Sequence, residues 1–135
     1  MPISVHDNTI LGYEVSCEGR EICIRTEYRD KGAPFERTNI NFSGVEAYEF
    51  VYDCMGNIIF RLEDVPSEDI VKENQAKFEE GFRLSGWPRF WKGSLDEALN
   101  FLKTRSIRGF RLSSSYGMSG WVLAAEMRLV METKG

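Results

Sequence analysis

Nine residues in the last quarter of the chain gather its densest set of hydroxyl groups: Ser113-Ser114-Ser115-Tyr116-Gly117-Met118-Ser119-Gly120-Trp121. A serine among glycines invites comparison with the nucleophile elbow, G-x-S-x-G on a strand-to-helix turn of an α/β sheet. Gly120 follows Ser119 directly and both flanks alternate like strands, so the pattern is not an elbow. It also lacks the lysine and the spacing of a phosphate-binding loop. The plain reading is a hairpin connection whose glycines permit positive φ. The sharper one is a binding tip that uses Ser115, Tyr116, Ser119 and Trp121.

The one histidine, His6, stands beside Asp7. Imidazole is the natural general base near neutral pH. Adjacent residues of an extended chain point to opposite sides, however, so adjacency alone makes no dyad. No catalytic residue is assigned. Cys17, Cys23 and Cys54 form no C-x-x-C pair, and one histidine does not complete a zinc set, so neither disulfides, a metal nor a cofactor is expected. The thiols read as free and buried, in a reducing compartment.

A second candidate is the loop Gly86-Trp87-Pro88-Arg89-Phe90-Trp91-Lys92-Gly93. Trp87 and Trp91, with Tyr116 and Trp121, are the side chains that binding hot spots favour, because they bury much area and keep a polar handle. They serve equally well as lids on a small core. Arg89 and Lys92 are too few to make the loop a single-strand nucleic-acid binder. Glu46, Glu49, Asp53, Glu63, Asp64, Glu68 and Asp69 bias the middle of the chain towards acid. That bias reads as a solvated face, or as a patch that meets a cationic partner.

The elements that must position these groups follow from periodicity. Leu11-Tyr13-Val15-Cys17 and Ile22-Ile24-Thr26-Tyr28 alternate with polar residues across the short turn Glu18-Gly19-Arg20. After a turn at 30–34 come a strand at Ile40-Phe42, a turn at Ser43-Gly44, a strand at Tyr48-Phe50-Tyr52, a turn at Cys54–Asn57 and a strand at Ile58-Phe60-Leu62. A helix capped by Ser67 and stopped by Gly81 follows, then a second, from the capping box Ser94/Glu97 through Leu95, Ala98, Leu99 and Leu102. Strands return at Ile107–Ser114 and Trp121–Met131. The expected fold class is α+β: an antiparallel β-meander of about seven strands, as a curved sheet or sandwich, with two helices inserted between the fifth and sixth. The expected core is Leu11, Tyr13, Val15, Ile22, Ile24, Phe42, Tyr48, Phe50, Ile58, Phe60, Leu99, Leu102, Phe110, Leu123 and Met127.

The chain of 135 residues, 42% hydrophobic and 13% aromatic, fits one globular domain with a sizeable core. A net charge of −4 without a basic cluster argues against a nucleic-acid partner. No signal peptide and no apolar run of ~18 residues is visible, so a cytoplasmic protein with no membrane partner is expected. The string Gly109–Ala124, His6-Asp7 and Phe42–Tyr48 together resemble an uncharacterised family of small bacterial proteins. That resemblance implies no activity and no site residues. In size, acidity and lack of a catalytic motif the chain is also similar in type to immunity proteins of polymorphic-toxin systems. Three functions stay open. The first is a non-enzymatic module for a protein partner, of which a basic partner met by an immunity-type inhibitor is one form. The second is a small-ligand protein or enzyme built on the Ser113–Trp121 turn with His6. The third is a structural or oligomerising module.

Overall fold

A computed structural model describes residues 4–30, 32 and 35–132. The chain runs β1 (Thr9–Ser16), β2 (Glu21–Tyr28), β3 (Glu36–Val51), β4 (Ile58–Val65), α1 (Ser67–Glu73), α2 (Gln75–Ser85), α3 (Leu95–Thr104), β5 (Arg108–Tyr116) and β6 (Ser119–Met131). The fold is α+β, and all its strand pairs are antiparallel. The six strands close into a barrel in the order β1-β2-β3-β6-β5-β4. Closure is brief: Thr9 faces Ile58, supported by the bonds Asp7 N–H to Ile59 O, Ile59 N–H to Asn8 O and Ile10 N–H to Asn57 O. Of the turn expected at 30–34, residues 31, 33 and 34 lie outside the described residues.

The count of about seven strands is corrected to six because the Ser43-Gly44 turn is not a hairpin. Gly44 has φ +63°, and the register slips between Val45 and Ala47, making Glu46 the extra residue of a β-bulge. A bulge bends a strand without ending it. β3 therefore turns a corner, and β6 follows it from Thr38↔Met131 to Val51↔Ser119. At Gly44 a Cβ would come within 2.7 Å of the Ala125 Cβ, so the glycine serves both the positive φ and the close approach of β6.

The helix count is corrected from two to three. Asn74 (φ −110°, ψ 13°) interrupts the first expected helix, and its side-chain Nδ2 donates to Ile70 O at 2.8 Å. That bond competes with the helical ladder, as asparagine side chains commonly do. Ser67 makes no cap bond. Gly81 lies inside α2, and left-handed Gly86 ends it, with its N–H donating to Phe82 O. The Ser94 cap of α3 is present, its Oγ accepting from Glu97 N–H at 3.3 Å.

Two apolar clusters result. One fills the barrel with Val5, Ile10, Ile22, Ile24, Ile40, Phe42, Ile59, Phe110, Leu112, Met118, Val122 and Ala124. The other lies between the helices and the outer wall: Ile70, Val71, Phe78, Phe90, Trp91, Ala98 and Leu102 against Ala47, Trp121 and Leu123. Both faces of β6 are thus buried at 121–124. Three expected core residues change place. Leu11 and Phe60 are exposed and Ile58 is only half-buried, because register shifts at Gly12 and around Ile59 put Ile10 and Ile59 inside instead.

Phe78 is the keystone of the helix layer, with ring centroids 5.4–6.0 Å from Trp87, Phe90, Trp91 and Trp121. Phe78→Ala is expected to lower the unfolding free energy in a urea titration by about 3–5 kcal/mol. Phe82→Ala, one turn further along the same helix where the side chain is 42% exposed, should change it far less. Equal losses would contradict this packing.

Candidate functional site

The Ser113–Trp121 segment is a tight hairpin in which only Gly117 and Met118 lie outside the strands. Three of its serine hydroxyls bond backbone groups of the turn or of β4. Ser119 Oγ accepts the Ser114 N–H at 3.2 Å, Ser114 Oγ donates to Met118 O, and Ser115 Oγ donates to Ile58 O at 3.3 Å. Met118 is fully buried and plugs the barrel end.

The residue that fixes this turn comes from another one. Asn57, itself buried, accepts at Oδ1 from Met118 N–H (2.8 Å) and from Cys54 N–H (3.1 Å), and its Nδ2 donates to Cys54 O (2.7 Å). One amide thus joins the β3–β4 and β5–β6 connections. Gly117, at φ +90°, leaves the space the amide needs, since a Cβ there would collide with Asn57 Oδ1. Tyr13 adds a further tie, its O–H donating to Asp53 Oδ2 at 2.7 Å.

Large apolar side chains stand on this rigid end. Tyr52, Met55 and Tyr116 are 81%, 96% and 60% exposed, with Leu11 and Val51 beside them. Tyr52 also sits at φ +61°, a conformation bulky side chains rarely adopt. A cleft formed by residues 10–13 and 53–57 runs under Met55, and Asp53 is its one charged wall residue.

The other expected site residues disperse. Trp91 and Trp121 are buried in the helix-side cluster, and neither indole N–H donates a hydrogen bond. Trp87 is exposed and packs edge-on to Phe78. His6 lies on the surface, its Nδ1 3.2 Å from Asp7 Oδ2 and its ring 5.6 Å from that of Phe60. The cleft beside it contains Val5, Leu62, Met127 and Leu129 but none of the turn serines. The structure therefore brings Ser114, Ser115 and Ser119 together with Tyr116, and leaves Trp87, Trp91 and His6 elsewhere. Among the described residues no three His, Cys, Asp or Glu side chains gather as a metal set, and the three cysteines are free but not buried as expected: Cys17 is exposed and Cys23 and Cys54 are half-buried.

The acidic bias of the middle strands is largely matched by cations. Glu49 pairs with Lys77 (2.6 Å), Glu63 with Arg61 (2.7 Å), Glu68 with Lys72 (2.8 Å) and Asp64 with Arg108. Glu46 is buried and meets two arginines. No helix among the described residues is long and apolar enough to cross a membrane. Comparison with known proteins finds no matching family model, no matching curated protein and no matching solved structure.

Sequence reasoning took 54–57 for a turn but missed the role of Asn57. An asparagine closing such a turn was the available signal, because its amide can imitate a backbone turn. Asn57→Ala leaves two backbone N–H groups without their acceptor, so a loss of about 1–3 kcal/mol of stability is expected in chemical denaturation. Hydrogen exchange at Cys54 and Met118 should accelerate in the same variant; unchanged protection there would contradict the role.

The hydrogen bond to Asp53, then burial, then the Asp53 charge raise the Tyr13 phenol above its ordinary range. Its folded pKa therefore exceeds the unfolded value. The stability the pair adds is fully present below about pH 10 and is lost as pH rises through the higher folded value. Tyr13→Phe should flatten the alkaline limb of the Tm–pH profile, and an unchanged limb would exclude this linkage.

Proposed function

We propose that the chain is a non-enzymatic module that binds a protein partner through the loop end of its barrel. The observation that carries this reading is that Tyr52, Met55 and Tyr116 stay exposed on connections locked by the Asn57 amide. Each tyrosine buries about 150–250 Å² on entering an interface, and a fixed turn has little ordering entropy left to lose. Methionine adapts to irregular surfaces. The positive φ of Tyr52 supports the same reading, since strained backbone concentrates at functional positions.

The partner this surface fits has an apolar anchor with a basic residue placed to meet Asp53. A net charge of −4 favours such a partner at long range, and an inhibitor that masks a basic surface, as an immunity protein does, is one form of it. The enzyme reading is weaker, because the turn hydroxyls are engaged with backbone groups and His6 lines a different cleft.

The test compares proteins retained from native lysate by the wild type and by a Tyr52→Ser/Met55→Ser/Tyr116→Ser variant of unchanged Tm. One protein should be held by the wild type and lost from the variant, with affinity down about 30-fold or more if even one of the three is a hot spot. Equal retention by both, or no specific retention, would overturn the proposal. Sedimentation velocity separates self-association from capture of another protein.

A further inference from the structure

The β3 corner creates a second feature, remote from the loop end. The bulge at Glu46 turns its side chain into the protein, where it is only 1% exposed. Arg20, at φ +56° in the β1–β2 turn, reaches across to it. Its Nε donates to Val45 O at 3.2 Å and its Nη2 donates to Glu46 Oε1. The other carboxylate oxygen, Oε2, accepts no hydrogen bond. Arg89 Nη2 stands 3.5 Å from it, outside hydrogen-bonding geometry, on a side chain that is 68% exposed. Glu46 lines a cavity of about 160 Å³ walled by Val15, Ile22, Tyr48 and Trp87, with Glu21 as its second carboxylate and Arg20 as its one cationic wall residue.

We propose that this cavity binds an organic cation, an ammonium or guanidinium group on a short apolar stem, whose N–H donates to Glu46 Oε2. A buried carboxylate oxygen without a donor is costly, and a charged donor that fills the site relieves that cost. Trp87 and Tyr48 put aromatic rings, which attract cations, in the cavity wall, and Val15 and Ile22 take the stem. An anion would meet two carboxylates, while the Arg20 guanidinium is already engaged by Val45 O and Glu46. Arg89, loosely held and largely in solvent, is the cation that the guest displaces. The volume, about five times water's ~30 Å³ share of the liquid, suits such a head group and a few methylenes. A free amine and a lysine or arginine side chain of another protein present the same chemistry.

The site lies six residues along β3 from Tyr52, about 20 Å of extended strand, so it can be tested separately from the loop end. The experiment titrates the ¹⁵N-labelled protein with n-butylamine, propylguanidinium, N-acetylarginine amide, butyrate and butanol, reading amide shifts and the Trp87 indole N–H. Saturable shifts confined to residues 15–22, 45–48 and 87 are expected for the cations and not for butyrate or butanol. Binding of the free cations but not of the blocked arginine assigns a small-molecule ligand, and binding of both assigns a side chain as a competent guest. Glu46→Gln should weaken binding about tenfold or more, the worth of a hydrogen bond to a charged group. If that variant does not fold, Arg89→Ala, which removes the competing cation, should tighten binding about threefold. The proposal is overturned by no saturation of the wild type up to about 50 mM probe, which marks affinity weaker than about 2 kcal/mol. It is overturned equally by binding of butyrate, by unchanged affinity in a folded Glu46→Gln protein, or by unchanged or weaker affinity in Arg89→Ala.

Discussion

The pairing of β3 with β6 around the Gly44–Glu46 corner is the constraint on which the rest of the molecule depends. Before the corner, Ile40 and Phe42 of β3 face the barrel interior opposite Leu129 and Met127. Beyond it, Ala47 of β3 and Trp121 and Leu123 of β6 turn outward to receive the helices, while Val122 and Ala124 continue the interior. One ladder thus serves two cores. It does so through its two faces: Ile40 and Phe42 before the corner and Tyr48 and Phe50 after it pack on the barrel cluster, while Ala47 packs on the helix side, and the bulge changes the register with β6 by one residue. The corner also bears on both candidate sites. It carries Glu46, and beyond it β3 runs to Val51, opposite Ser119 at the β5–β6 turn, with Tyr52 just past the strand end.

Much of this architecture was legible as alternation. Ile22, Ile24, Phe42, Phe110 and Leu123 were placed in the core by period alone, and they are buried. The errors have a common cause. Leu11, Ile58 and Phe60 continue an alternating pattern in the sequence, but register shifts interrupt the pairing beside them. A bulge leaves no mark in hydrophobic periodicity, because it depends on the partner strand. Closure of the barrel was illegible for the same reason: it rests on a few long-range backbone bonds between residues 7–10 and 57–59, groups that every sequence has. Asn74 had a readable signal, a residue that competes with its own helix, but the strong apolar spacing of Ile70, Val71 and Phe78 hid it.

The candidate site was half legible. The Ser113–Trp121 turn drew attention through its composition, and much of that composition serves hydrogen bonding: Ser114 and Ser119 bond the turn backbone, Ser115 bonds β4, and Gly117 makes room for the Asn57 amide. The residues that give the surface its character, Tyr52 and Met55, lie on a connection whose sequence contains little else of note. Their exposure depends on the β3 corner sending the strand past the end of the barrel. The tryptophans were left open between hot spot and core lid, and Trp91 and Trp121 are buried as lids. A tryptophan at a hot spot usually uses its N–H, yet Trp91 and Trp121 bury theirs without an acceptor. They are in the fold for volume and shape, closing the helix layer around Phe78.

Glu46 shows why counting charge along a sequence misleads. It stands among residues that read as one acidic face, and most of these do lie near solvent with a cation beside them. Glu46 alone is drawn inside, because the bulge that admits an extra residue leaves its side chain no outward course. Once inside, the carboxylate cannot be held by Coulomb attraction alone, since removing two ions from water costs about as much as their pairing returns. It needs directed donors on both oxygens, and the fold supplies one set, through Arg20. That Arg20 occupies a left-handed backbone conformation to do so places the requirement in the β1–β2 turn as well as in the corner. Two connections in left-handed backbone, at Arg20 and Gly44, therefore converge on one carboxylate. A purely structural ion pair would be expected to saturate both oxygens with donors, whereas here Oε2 is buried without one, with Arg89 3.5 Å away, on a residue that lines a cavity.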